Sequence, residues 1–362
     1  MAKRVFNFNP GPATLPLEVV EEASRSALEF NNLGMSIMEI SHRSKDFEKV
    51  IQEAAADMKE LLGLDEHFRV AFVGGGASLQ FATVPMNYLR EDAVADYIDT
   101  GEWATKAIKE AKLFGKVNVV GSSADKNFSY IPDLKGISFT PGAAYVHVTS
   151  NNTIEGTEFH DFPKTGAVPL IVDMSSDFMA RQMDHKQFAL IYAGAQKNVG
   201  PAGVTIVIVR DDLLARGKDK VPTMLSYKTH IEKESLYNTP PAFAVYVVGL
   251  VMKWMKKAGG LAAIEKVNRE KAGILYGAID EMAAFYKGTV EPASRSLMNV
   301  TFRLPSEALE EAFIKEAKGR DLVGLKGHRS VGGCRASIYN ALPLDGVKAL
   351  VDLMKDFAKR NG

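Results

Sequence analysis

Chemistry in this chain centres on Lys197, in the stretch LIYAGAQKNVGPAG between two apolar runs, FALIYAG (188–194) and VTIVIVR (204–210). Its neighbours are small. A lysine at such a place either ends a strand and reaches water, or is partly desolvated, loses its proton and attacks a carbonyl. Asp173 ends a second apolar run in PLIVDMSSD. A carboxylate at a buried edge needs a cation or hydrogen-bond donors; a protonated pyridine nitrogen would serve, and so would the turn it begins. In VGGGASLQ (73–80) three glycines lead from a strand into a helix starting at about Ser78. Free N–H groups and the helix dipole there suit an anion, above all a phosphate, although a tight turn without a ligand has the same appearance. The spacing is neither GxxxxGK[ST] nor GxGxxG, which excludes the common nucleotide fingerprints. Trp103, in TGEWATKA near another helix start, either stacks on a flat ring or packs into the core.

His-Arg-Ser occurs twice, as SHRS at 41–44 and GHRS at 327–330, in a chain with only seven histidines. Arginine forks suit carboxylate and phosphate, and adjacent histidines add donors. Arg335, just past Cys334, is a further arginine of this kind. Each motif alone is weak. In this order they match the needs of pyridoxal phosphate: a lysine for the aldehyde, an acid for the ring nitrogen and a helix N-terminus for the phosphate.

Positioning these groups requires strands and helices in alternation. Candidate strands are 69–73, 93–98, 117–121, 144–149, 169–174, 188–194 and 204–210, separated by helical segments, which argues an α/β domain with a mostly parallel seven-stranded sheet covered on both faces. Before it, NFNPGPATLP is an extended, rigid lead-in. Helices follow at LEVVEEASRSALEF and at DFEKVIQEAAADMKELL, the latter stopping at Gly63. KTHIEKESLYNTPPAF reads as a polar connection. A long helical region from about Ala242 to Tyr286 breaks at Gly259-Gly260. Strand LMNVTFR, helix SEALEEAFIKEA, strand CRASIY and helix VKALVDLMKDFAKR then form a smaller C-terminal α+β domain. The expected division is 16–256 for the large cofactor-binding domain, with 1–15 and 257–362 in the small one.

The 44 basic and 44 acidic residues balance, so no nucleic-acid partner is indicated and any anion site is local. A single cysteine, Cys334, excludes a disulfide framework and a cysteine-rich metal site. It fits a reducing, cytoplasmic setting. No apolar run reaches the length of a membrane span, and the N-terminus has no apolar signal core.

NFNPGPATLP, SHRS, GGGAS, AGAQKNVGPAG and GHRSVGGCRASIYNA, taken together over essentially the full length, resemble the phosphoserine aminotransferase family. These are class-V, fold-type I pyridoxal-phosphate enzymes. The resemblance implies reversible transamination between glutamate and 3-phosphohydroxypyruvate, giving 2-oxoglutarate and phosphoserine for serine biosynthesis; some members also serve pyridoxine biosynthesis through 4-phosphohydroxythreonine. It implies Lys197 as the Schiff-base lysine and proton shuttle, Asp173 at the ring nitrogen and Trp103 stacked on the ring. Ala77, Ser78 and Gln196 would contact the phosphate, and Thr153 the ring's 3′-oxygen side. Asn238 and Thr239 would reach the phosphate from a neighbouring subunit, making a homodimer with composite sites. Arg335 would take the α-carboxylate, and His42, Arg43, His328 and Arg329 the distal anion. Some members carry arginine at the position of Ala77, so that side-chain contact is missing here. A cysteine desulfurase needs a nucleophilic cysteine on a loop, and Cys334 is poorly placed for that. Alanine–glyoxylate or serine–pyruvate transaminases have no distal anion to bind, and a non-catalytic protein retaining the fold would not need Lys197 and Asp173.

Overall fold

The computed structural model describes residues 4–362; residues 1–3, expected in the small domain, lie outside the described residues. Seven strands form the main sheet: β1 (Phe68–Val73), β2 (Val94–Asp99), β3 (Lys116–Ser122), β4 (Val146–Thr149), β5 (Leu170–Asp173), β6 (Leu190–Gly194) and β7 (Thr205–Arg210). Their order is β1-β7-β6-β5-β4-β2-β3. Only β7 runs against the others; it pairs antiparallel with β1 and β6, and the remaining pairs are parallel. The central strands β4, β5 and β6 are buried on both faces, which is why they read as unbroken apolar runs rather than as alternation. At the edge, β3 is largely exposed despite its valines.

Side chains alternate across the sheet. Val146, Val148, Val172, Ile191 and Ile206 face one core, with helices α1 (Leu17–Leu28), α2 (Lys45–Leu62) and, later in the chain, Ala242–Lys257. Tyr145, Ile171, Tyr192 and Val207 face the other, under α3 (Gly76–Tyr88) and α4 (Glu102–Ala111). Boundaries follow local chemistry. Ser44 caps α2, its hydroxyl accepting from the Phe47 N–H, and Gly63 ends the helix in the left-handed region. The segment read as a polar connection contains a short helix, Tyr227–Glu232, capped by Ser226; the Ser-Tyr-Lys-Thr sequence was too short for a visible period.

Ala242–Lys257 (α5) and Gly260–Glu281 (α6) are separated at Gly259, whose φ is 102°. Beyond them β8 (Lys287–Gly288), β9 (Asn299–Arg303) and β10 (Cys334–Ser337) form an antiparallel three-stranded sheet. Helices α7 (Glu307–Gly319) and α8 (Leu344–Asn361) pack on it around a separate core containing Phe302, Phe313, Leu350 and Phe357. Phe8, from the N-terminal segment, belongs to this core, and residues 6–7 pair with 322–323. Among the described residues, no helix is long and apolar enough to cross a membrane.

Candidate active site

The carboxyl ends of parallel strands are where open α/β sheets place ligands, and Thr149, Asp173 and Gly194 end β4, β5 and β6 there. Lys197 lies in the turn after β6. Its Nζ donates to Thr153 Oγ1 at 2.6 Å. Burial lowers its pKa to about 8, opposed by the Asp173 charge and assisted by that of Arg335. An amine so poised is a usable nucleophile near neutrality. The N-terminal Pro/Gly segment packs on this turn: the Ala13 N–H donates to Gln196 O at 2.9 Å. Gly11 comes close enough that a Cβ there would sit 3.4 Å from Cγ of both Gln196 and Lys197.

Asp173 is 4% exposed. Its Oδ1 accepts from the Ser175 N–H at 2.8 Å, and no cation forms an ion pair with it among the described residues. Burial pushes its carboxyl up, while hydrogen bonds from Ser175 and the Lys197 charge pull it down. A carboxylate held this way suits a cation that comes from outside the chain.

Gly75 caps α3 with φ 91°, and the helix has no side-chain cap, so its first N–H groups face the open side of the turn. A Cβ on Gly75 would lie 2.3 Å from Leu79 Cδ2. Ala77 and Ser78 occupy that first turn, which starts at Gly76, the last of the three glycines, rather than near Ser78. Trp103, the second residue of α4, has the Lys106 ammonium 4.4 Å from its ring centroid and Phe81 on its flank. Its indole Nε1 is enclosed and has no partner.

Arg335, on β10, reaches across from the small sheet. Its Nη1 donates to Thr153 O at 3.0 Å, so Thr153 joins Arg335 to Lys197. Its side chain is buried, and its Nε has no partner. Nearby, His328 has its pKa lowered by burial and by the charges of Arg335 and Arg329. The Ser330 N–H donates to His328 Nδ1 at 3.3 Å, while Arg329 is exposed.

The other predicted residues form a second group. His42 Nδ1 lies 3.1 Å from Thr239 Oγ1, and Asn238 Nδ2 donates to Thr239 O. Asn238 and Thr239 line a cavity of about 420 Å³ together with Gly74, Leu79 and Gln80. Arg43 is exposed beside them. Among the described residues, no hydrogen bond or ion pair links this group to Lys197, Arg335 or His328. The two His-Arg-Ser steps therefore do different local work: Ser44 caps a helix, whereas Ser330 holds His328.

Two residues escaped the reading of the chain. Glu155 accepts from the Glu102 N–H at 2.9 Å and so touches the start of the Trp103 helix; the only signal was a lone acid in SNNTIEGT. Lys271, fully buried in α6, donates to the carbonyls of Ile338, Tyr339 and Leu342, and nothing distinguished it from the solvated lysines around it. Cys334 is buried, with its thiol pushed up by burial, which removes it as a nucleophile.

Comparison with known proteins gives this geometry a family. Residues 5–350 match the family described as Aminotransferase class-V. A phosphoserine aminotransferase of Desulfosudis oleivorans is 58% identical over 364 residues, covering all of both chains. The structure of phosphoserine aminotransferase from Bacillus circulans subsp. alkalophilus superposes with a TM-score of 0.97 at 53% identity, over 99% of each chain. A PLP-bound phosphoserine aminotransferase from Trichomonas vaginalis, 39% identical, covers 97% of this chain and 100% of its own with a TM-score of 0.92. With the lysine turn, the buried strand-end acid and the glycine-led helix all within the matched residues, the chain belongs to the class-V aminotransferases.

Proposed function

We propose that this protein is a phosphoserine aminotransferase, using pyridoxal 5′-phosphate to move an amino group between glutamate and 3-phosphohydroxypyruvate in serine biosynthesis. The observation that carries this reading is the pairing of a lysine with pKa about 8, 2.6 Å from Thr153 Oγ1, with a buried Asp173 that has no ion-pair partner among the described residues. These residues fit the cofactor. Lys197 would hold its aldehyde carbon, Asp173 its ring nitrogen, and the first turn of α3, with Ala77 and Ser78, its phosphate. Gln196 would add a contact to that phosphate, and Thr153 would face the ring oxygen. Trp103 would cover one ring face.

When bound, the cofactor supplies a protonated ring that accepts electrons from the substrate's Cα. Asp173 keeps the proton on the ring nitrogen, because a buried carboxylate is stabilised most by a cation directly beside it. Arg335 takes the α-carboxylate through a planar fork whose Nε is free. Lys197 would carry the proton between the substrate's Cα and the cofactor's aldehyde-derived carbon, as general base at one and general acid at the other; its lowered pKa suits both directions. His328 and Arg329 hold the distal anion, phosphate in one substrate and carboxylate in the other. An arginine with a histidine accepts either shape, since both present oxygens to N–H donors.

The separate grouping of His42, Arg43, Asn238 and Thr239 supports a homodimer in which these residues complete the neighbouring subunit's site. The two cores support a large cofactor domain, 16–256, and a small one, 1–15 with 257–362, although Leu261 and Ile264 just past that boundary pack into the larger core. A cytoplasmic location accords with the single, buried, reduced cysteine. The test is spectroscopic and kinetic. Purified protein should show a visible band from bound cofactor that changes on adding glutamate. In a coupled assay with 2-oxoglutarate, phosphoserine should greatly outperform serine and alanine. Alanine performing as well as phosphoserine would transfer the reading to the alanine–glyoxylate type.

A further inference from the structure

Helix α4 carries Trp103 but has a poor start of its own. Its N-cap is Gly101, and no side chain from the cap position satisfies its first N–H groups. The missing acceptor comes from a different element. Glu155, in the turn between residues 151–152 and 157–158, accepts from the Glu102 N–H at 2.9 Å through Oε1. The glycine at 101 makes room for it: a Cβ there would lie 2.6 Å from Glu155 Oε2 and 2.8 Å from Asn152 Oδ1. A carboxylate at a helix N-terminus also meets the positive end of the dipole.

The second oxygen packs against Gly101. Among the described residues, Glu155 Oε2 and Arg335 Nε are both enclosed and without a partner. Both side chains line one cavity of about 230 Å³ between the turn and the small sheet. They are not in ion-pair contact, but each lies in the other's field: burial raises the Glu155 carboxyl and lowers the Arg335 guanidinium, and each charge partly offsets the other's shift. The turn is clamped at this position. Thr301, opposite Arg335 in the register of β9 and β10, donates its hydroxyl to Glu155 O at 2.9 Å. Gly156, with φ 88°, approaches so closely that a Cβ would lie 2.6 Å from the same hydroxyl.

We propose that Glu155 is a positioning residue, setting the Trp103 helix through its capping oxygen and tempering the charge of Arg335 across the cavity they share. One side chain thereby couples the group that covers the cofactor ring to the group that captures the substrate's α-carboxylate. This rests on the aminotransferase reading above. A residue that merely filled space would give the same effect for any polar or apolar replacement; Glu155 has two separable effects.

The experiment compares Glu155→Gln, Glu155→Ala and Glu155→Asp in a Trp254→Phe background, where Trp103 is the sole tryptophan. Titrating apoprotein with pyridoxal phosphate while following Trp103 emission gives cofactor affinity without turnover. Glutamate KM and kcat are measured on the loaded forms. Glu155→Gln keeps an acceptor for the Glu102 N–H, so cofactor affinity and Trp103 emission stay as in the parent. Its lost charge strengthens Arg335 toward carboxylate, lowering glutamate KM about fivefold to tenfold. Glu155→Ala shows the same KM effect and also weakens cofactor binding about fivefold to tenfold, the scale of a lost helix cap. Glu155→Asp keeps the charge but is one methylene short, so cofactor affinity falls while KM holds. Should the alanine variant not fold, the Gln and Asp variants decide alone. Equal loss of cofactor affinity in Gln and Asp, or an unchanged KM in Gln, overturns the proposal. Parent protein that neither binds pyridoxal phosphate nor uses glutamate removes both this inference and the reading beneath it. A competent parent matched by all three variants removes this one only.

Discussion

Lys197 is the residue on which the proposed chemistry turns, and its pKa has a measurable consequence. Burial lowers it from 10.5 to about 8, so the neutral amine becomes the major form above that pH rather than two decades higher. Capture of pyridoxal phosphate by apoprotein, followed by stopped-flow absorbance, should therefore accelerate with pH to a midpoint near 8. A midpoint near that of a free lysine would show the amine to be solvated. Lys197→Ala should lose transamination by orders of magnitude while still binding cofactor non-covalently, since Asp173, the α3 N-terminus and Trp103 all remain; near-normal turnover would refute its role. Arg329 is exposed. Arg329→Ala should raise KM for phosphoserine far more than it lowers kcat, and should leave alanine unaffected. Equal effects on phosphoserine and alanine would place its contribution elsewhere than at the distal anion.

At the scale of elements, the site depends on how strands hand over to helices. The β1–α3 junction needs a glycine at 75 twice over: its φ is 91°, and a Cβ would press into Leu79 at 2.3 Å. Gly75→Ala should cost about 1–3 kcal/mol of stability. It should also weaken pyridoxal phosphate binding, because relieving the clash moves the first turn of α3. Thermal melts with and without cofactor check both, and a variant as stable as the parent would show that the turn adapts freely. The residues 151–158 hairpin plays a different part. Asn151 Nδ2 donates to Asn299 Oδ1 at 2.7 Å, and Glu158, buried against Arg181, accepts from the Leu297 N–H at 2.7 Å. A turn bonded in this way to the small sheet fixes where Thr153 stands between Lys197 and Arg335.

For the whole molecule, the separation of His42, Arg43, Asn238 and Thr239 from the lysine makes a prediction about assembly. If these residues act across subunits, Arg43→Ala and Lys197→Ala are each defective alone, but mixed and reassembled they yield hybrids with one intact site, and activity returns. Hybrids that form without any recovery would place Arg43 in its own subunit's site. Much of the fold was legible in the chain: the seven strands of the main sheet, the break at Gly259-Gly260 and the stop at Gly63 all follow from apolar runs and glycines, which act locally. The short helix at 227–232 and the true start of α3 were not, because a few residues carry no period and glycine marks both turns and helix starts. By itself the sequence determined the α/β class and, through Lys197, Asp173 and the glycine run, the kind of cofactor chemistry to expect, since those signals are residue types at strand ends. Only the tertiary structure decided that Thr153 bridges Lys197 and Arg335, that the two His-Arg-Ser steps fall in different groups, and that Glu155 caps the Trp103 helix. Those contacts span from 44 to about 200 residues of chain, and no local pattern encodes which distant backbone a side chain will meet once the two sheets have packed.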